Sequence, residues 1–186
     1  MRRTAWELPV GPGLVATAKA DQLAGILRTL PERVLSPAER ERWAPALAEA
    51  GRLAAHLSST RDRAREVLCH GDPHPGNALL VPGTSGATAA YRLVDPDGIV
   101  TEREYDVGVA LRDFSRELLA APTAADARAL HAGLCRQAAA ATGTDPERVG
   151  QWSLVERVTT GLYLRWFHDD ETAATFLDSA LLLLQG

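Results

Sequence analysis

From residue 19 onward apolar positions recur at intervals of three and four along most of the chain, and that rhythm breaks between residues 66 and 98. From Trp43 the apolar series continues through Leu47, Ala50, Leu53, Ala54 and Leu57, which form one face of a helix. Its start is written in Ser36-Pro37-Ala38-Glu39: Ser36 as N-cap, Pro37 at the first helical position and Glu39 closing a capping box. The helix is predicted to run to about residue 58, after a shorter one over about 19–29 that Pro31 stops. Downstream, Asp106 is predicted as N-cap of a helix to about 120, and Thr123 of one to about 141 that ends at Gly143. Asp145-Pro146 opens a third, to about 167, and a last helix covers about 171–184.

Within the break, Glu66-Val67-Leu68-Cys69, Ala78-Leu79-Leu80-Val81 and Tyr91-Arg92-Leu93-Val94 are short β-type runs. The flexible Pro82-Gly83-Thr84-Ser85-Gly86 stretch joins the last two, so they are predicted to form a hairpin. The fold class is therefore mainly α with a small β-hairpin, α+β, in a single domain of 186 residues. Its parts are an irregular leading segment at 1–18, helices over 19–60, polar loops within 66–98 and a helical region over 106–184.

Composition narrows the function more than the fold. A net charge of −4 gives no electrostatic case for nucleic acid or an anionic membrane. The longest apolar run, Ala180 to Leu184, is far too short for a span, and no apolar stretch follows the two N-terminal arginines as a signal peptide requires. Cys69 and Cys135 sit in apolar surroundings and read as buried reduced thiols, which implies a cytoplasmic protein.

The chemistry clusters at the ends of the β-type runs. His70-Gly71-Asp72-Pro73-His74-Pro75-Gly76-Asn77 is followed by Leu93-Val94-Asp95-Pro96-Asp97-Gly98. Two prolines and two glycines in the six residues 71–76 make a rigid loop, suited to a carboxylate that must stand within hydrogen-bond reach of a hydroxyl. Asp72 is the candidate base. Asn77, five residues on, offers a neutral oxygen, and Asp95 offers a carboxylate in an extended approach enforced by Pro96. Mg²⁺ takes such oxygen donors and usually only one or two carboxylates, so Asn77 and Asp95 are the candidate metal ligands, with Asp97 as second candidate. A base, then an Asn five residues later, then an Asp in a turn after a hairpin is the order found in kinases. His70 and His74 flank Asp72, which leaves open a zinc-dependent hydrolase; the simpler role for His70 is loop support by hydrogen bonding.

These two motifs, continuing into Glu102-Arg103-Glu104-Tyr105-Asp106, resemble the C-terminal lobe of the aminoglycoside phosphotransferases, within the kinase-like superfamily. The Asp-Pro-x-Gly turn with the following Glu-x-Glu-Tyr-Asp is most similar to the streptomycin and hydroxyurea kinase branch. The resemblance implies a small-molecule O-phosphotransferase of the antibiotic-resistance type, with ATP as co-substrate and Mg²⁺ as cofactor. It implies Asp72 as base, Asn77 and Asp95 as Mg²⁺ ligands, and Asp106 as an acid that fixes the loop and caps its helix. Members of this family carry an N-terminal β-rich lobe with a phosphate-covering loop and a lysine. Gly11-Pro12-Gly13 lacks a donor at Pro12, there is no Gly-x-x-x-x-Gly-Lys run, and Lys19 is placed at the exposed start of a helix. The expectation is thus a lobe lacking its N-terminal partner and a nucleotide-binding lysine. A catalytically inactive remnant acting as a binding module stays open as the alternative. For a hydroxylated, aminoglycoside-like substrate the candidate carboxylates are Glu104, Glu156, Asp169, Asp170 and Glu171, the last three beside Trp166 and Phe167.

Overall fold

The computed structural model describes residues 5–7, 10, 18–86 and 89–185. Eight helices and four strands follow one another: α1 (Lys19–Thr29), α2 (Pro31–Val34), α3 (Pro37–Ser59), β1 (Glu66–Cys69), β2 (Ala78–Leu80), β3 (Tyr91–Leu93), β4 (Ile99–Glu102), α4 (Arg103–Arg112), α5 (Ser115–Leu119), α6 (Ala124–Thr142), α7 (Pro146–Trp166) and α8 (Asp170–Leu183) among the described residues. The molecule is mainly helical with a small antiparallel β content, as the apolar periodicity requires. Gly11-Pro12-Gly13 lies outside the described residues.

The capping box forms as written: the Glu39 N–H donates to Ser36 Oγ at 3.3 Å, and the Ser36 N–H donates to Glu39 Oε2 at 2.8 Å. The α3 face buries Trp43, Ala50, Leu53, Ala54 and Leu57, while Leu47 is only half-buried and Ala46 takes its place inside. That face packs on α7, whose Val155, Val158 and Leu162 are fully buried at the centre of the fold. On the other side of α7, Gly108 lets α4 come close: a Cβ there would lie 2.6 Å from Trp152 Cβ and 2.9 Å from the Ser153 backbone nitrogen. Arg157, also on α7, is wholly buried and ties three elements together, donating to Ser115 and Ser179 hydroxyls and to the Leu111 carbonyl.

Helix α1 ends at Thr29, as predicted, and Pro31 opens the separate short α2. Three sequence expectations are corrected. A strand unforeseen by pattern, β4, pairs antiparallel with β1, Glu66 opposite Glu102 and Cys69 opposite Ile99, so there are two small sheets, the other being the expected β2–β3 hairpin. Because β4 runs straight into α4, the helix N-cap is Glu102 and Asp106 sits inside the first turn. The helix then breaks at Asp113 and Phe114, giving α4 and α5 in place of one helix to about 120. No helix among the described residues is long and apolar enough to cross a membrane.

Candidate active site

The loop after β1 is fastened from below by one carboxylate. Asp106 Oδ2 accepts the His70 N–H at 2.8 Å, Oδ1 accepts the Gly71 N–H at 2.9 Å, and Trp6 Nε1 donates to Oδ2 at 3.0 Å. Asp106 is buried, and these three donors offset the cost of burying its charge. Gly71 must be glycine: its φ is +95°, and a Cβ would stand 2.7 Å from Asp97 Cβ. The same contact brings the 95–98 turn against the loop, where the Gly98 N–H donates to the His70 carbonyl at 3.1 Å.

His70 has both ring nitrogens engaged. Nδ1 faces the Asp72 N–H at 3.3 Å, and Nε2 faces the Val94 carbonyl at 3.0 Å, which sets the tautomer as Nε2–H. A ring so engaged has no lone pair for zinc, and the zinc-hydrolase alternative loses its first ligand. Asn77 donates from Nδ2 to the Asp72 carbonyl at 2.9 Å, which leaves its Oδ1 as an acceptor. The Val94 N–H donates to the Asn77 carbonyl at 2.9 Å, so the chain reaches Asp95 directly from a bond to Asn77. Asp95 holds a left-handed backbone, φ 57°, and its exposed carboxylate has no partner among the described residues. Strained backbone in a non-glycine residue is a feature of functional positions. A neutral amide oxygen and one free carboxylate are a donor set that fits Mg²⁺, which completes its shell with phosphate and water.

Asp72 is not alone. Arg112 Nη2 donates to its Oδ1 at 2.6 Å, while Nη1 donates to Glu156 Oε2 at 3.0 Å. Glu156 Oε1 in turn accepts the Tyr105 hydroxyl at 2.7 Å. Burial works against the Arg112 charge, but Glu156, Asp72 and Asp113 around it outweigh that and hold it above its ordinary value. Asp113 is itself pushed up by burial, with Arg112 and His74 pulling the other way. His74 Nε2 stands 3.6 Å from Asp72 Oδ2, the oxygen that Arg112 leaves open. Sequence reasoning missed Arg112 and Asp113. A signal was present: Tyr105 and Arg112 are seven residues apart, hence on one face of α4 and aimed at the same acid on α7. Burial pushes both thiols up, Cys135 to about 11, so neither cysteine competes as a nucleophile.

Asp72 opens on a cavity of about 830 Å³ between α1 and α7, a size typical of small-ligand sites. Asp97 and Glu156 share its wall; Asn77 and Asp95 lie in the adjoining loops and do not line it. Lys19 does line it. It is half-buried, with Nζ 5.2 Å from the Tyr105 ring centroid, which corrects the expectation of an exposed position. The other sequence candidates for substrate carboxylates sit elsewhere. Glu104 is buried and accepts from Arg65 at 2.6 Å. Asp169 caps α8 through the Thr172 N–H, Asp170 pairs with Arg165 at 2.6 Å, and Glu171 is exposed in the first turn of α8.

No curated protein and no solved structure matches the chain. A family model, described as APH, phosphotransferase enzyme family, matches residues 16–152. That stretch runs from α1, through both loops and α4, into the first third of α7. It holds Asp72, Arg112 and the whole of the 66–102 β region within one match covering most of the molecule, and the chain belongs to the APH phosphotransferase enzyme family.

Proposed function

We propose that this chain carries the catalytic lobe of a small-molecule O-phosphotransferase that moves the ATP γ-phosphoryl group to a substrate hydroxyl in the cytoplasm. The observation that carries the reading is the state of Asp72: one oxygen is held by Arg112, the other is not, and the residue lines a ligand-sized cavity. In the reaction Asp72 Oδ2 accepts the hydroxyl proton as the substrate oxygen bonds to the γ-phosphorus and the bond to the β-phosphate oxygen breaks, releasing ADP. Asn77 and Asp95 are the residues that would hold Mg²⁺, which when bound neutralises charge on the phosphates. Arg112 fixes the direction of the base. His70 and Asp106 keep its loop from moving, so that little reorganisation is needed at the moment of transfer.

The β2–β3 hairpin supports the nucleotide side of the proposal. Leu79, Leu80, Tyr91 and Leu93 are each about half exposed or more, at 54%, 50%, 66% and 48%, immediately beside Asn77 and Asp95. We place the nucleotide-holding lobe of the family over this apolar surface. The test is ATP consumption with a panel of hydroxylated compounds, opening with streptomycin and hydroxyurea because the motif resemblance points there. Turnover that needs Mg²⁺ and disappears in Asp72→Asn is expected once the nucleotide-holding lobe is supplied. Turnover unchanged in Asp72→Asn defeats the assignment of the base. Binding without turnover in either protein favours the inactive binding module.

A further inference from the structure

The Asp72 cavity is poorly built for a polycation. A molecule carrying several ammonium groups needs several free carboxylates in the wall, because each desolvated charge is costly unless paired. Three acids line the cavity. Glu156 has both oxygens committed, to Tyr105 and Arg112. Asp72 has one oxygen on Arg112 and needs the other for the hydroxyl proton. Only Asp97, which is exposed, remains uncommitted. The acids expected to help, Glu104 and Asp170, are paired elsewhere.

What the wall offers instead is apolar surface and one cation. Leu23 and Ile26 from α1 share the wall with Leu164 near the end of α7 and Phe167 just after it, with Phe167 72% exposed and so available to a ligand. Lys19 is half-buried at the same cavity, and its ammonium has an aromatic face beneath it but no carboxylate within 4 Å among the described residues. Arg112 cannot play this part, since Asp72 and Glu156 already flank it.

We propose that the substrate is an amphipathic hydroxy compound: an apolar, preferably aromatic body, one anionic group paired with Lys19, and the acceptor hydroxyl at Asp72. This rests on the phosphotransferase reading for the identity of the hydroxyl as acceptor, but the charge preference of the cavity is a property of binding alone. Lys19 is then a specificity residue, and Phe167 supplies contact without regard to charge.

The experiment uses three matched probes on the full chain: para-hydroxymethyl benzoate, para-methylbenzyl alcohol and para-aminomethyl benzyl alcohol. They share a ring and differ in one charge. Affinities are read by ligand-observed NMR without nucleotide, with streptomycin as competitor. The benzoate is expected to bind about fivefold or more tighter than the amine, as one partly buried ion pair gives. Lys19→Met should remove that preference, Lys19→Glu should reverse it, and Lys19→Arg should keep it. Phe167→Ala, at an exposed position, should weaken all three probes alike. Binding of the amine at or above the level of the benzoate, displacement by streptomycin at the lowest concentration of any compound, a preference untouched by Lys19→Met, or no binding of any probe would each overturn the proposal. The two ideas separate cleanly. A Lys19-dependent preference with no phosphoryl transfer to any compound keeps this inference and removes the reaction, whereas Asp72-dependent transfer to polycations alone keeps the reaction and removes this inference.

Discussion

Replacing Asp106 by Asn should cost both stability and catalysis, and the size of each follows from the geometry. The carboxylate takes three donors at 2.8, 2.9 and 3.0 Å, two of them backbone N–H groups of the residues that precede Asp72. Asn has nearly the same shape but only one accepting oxygen, and it turns an NH₂ toward a donor on the other side. One of the two backbone N–H groups then loses its acceptor inside the protein, and the indole bond is lost or shared. A hydrogen bond to a charged group contributes about 1.5–3 kcal/mol, and an orphaned buried donor costs about 1–3 kcal/mol. A loss of about 3–4 kcal/mol is expected, a large fraction of a total stability of about 5–15 kcal/mol. For a chain of this size each kcal/mol lowers the melting temperature by about 2–4 °C, so the drop should be roughly 6–16 °C. Urea unfolding followed by tryptophan emission gives the same quantity as a shifted midpoint at constant slope. Below its melting temperature the variant should still lose turnover in the phosphotransfer assay proposed above, by about a hundredfold if the loop shifts by 1 Å. A melting temperature within about 2 °C of wild type would refute the claim that this carboxylate holds the loop.

Three further outcomes test other parts of the structure. Gly108→Ala should destabilise by about 2 kcal/mol or more in the same unfolding assay, because its Cβ would meet the Ser153 backbone nitrogen at 2.9 Å and backbone cannot step aside as a side-chain tip can. Arg112→Met should cost about 2–4 kcal/mol, less than the full range for a deeply buried pair because Asp72 is 34% exposed; Arg112→Lys should recover stability but not kcat, since an ammonium cannot fork between Asp72 and Glu156. His131 is held down to about 4, from an ordinary 6.5, first by burial and then by the Arg157 charge. Its folded-state value is depressed, so the unfolded chain binds the proton first: stability is whole above about pH 6.5 and falls as the pH drops from there through about 4, by at most about 3 kcal/mol. His131→Gln should flatten that part of a plot of unfolding free energy against pH, and an unchanged slope would assign it to another group.

The helices were legible because their signals are local. Ser36 with Glu39, Thr123, Asp145 before Pro146, and Gly143 with its φ of 69° each mark a boundary within one turn, and each boundary falls where the pattern puts it. What the pattern hid is non-local. β4 is only Ile99–Glu102, and its identity as a strand comes from pairing with β1 some thirty residues earlier in the chain. Once β4 is a strand, the helix must begin at Arg103, and Asp106 changes from a cap into a support for the loop. The motif placed Asp72 and the loop around it by spacing alone. Arg112 and Glu156 were opaque for the opposite reason: their meaning lies in a distance of 2.6–3.0 Å between elements that are far apart in sequence. Glu156 was singled out as a substrate acid, and its two committed oxygens make it instead a partner of Arg112 and Tyr105.

The loop that carries Asp72 is tied down at three points, which bears on the phosphotransfer proposed above. Asp106 holds the backbone at residues 70 and 71 from α4, His70 ties the loop to the end of β3 through the Val94 carbonyl, and Arg112 holds the carboxylate itself. Two of the ties come from α4 and one from the end of β3, and they act on different atoms of the loop, so no one side-chain rotation can release Asp72. Phosphoryl transfer asks little covalent chemistry of a protein and a great deal of positioning. A carboxylate fixed this firmly would be ordered before any substrate arrived, the entropy of ordering it having been met when the helical core folded. The parts left free are those the proposals assign to ligands: the exposed Asp95 carboxylate, the apolar hairpin, and Lys19 with Phe167 at the cavity. Motion during a catalytic cycle should therefore be confined to the nucleotide side and to the mouth of the cavity. Hydrogen exchange at the His70 and Gly71 amides should be as slow as in the core helices, while the amides of Gly83 and Gly86 exchange within seconds.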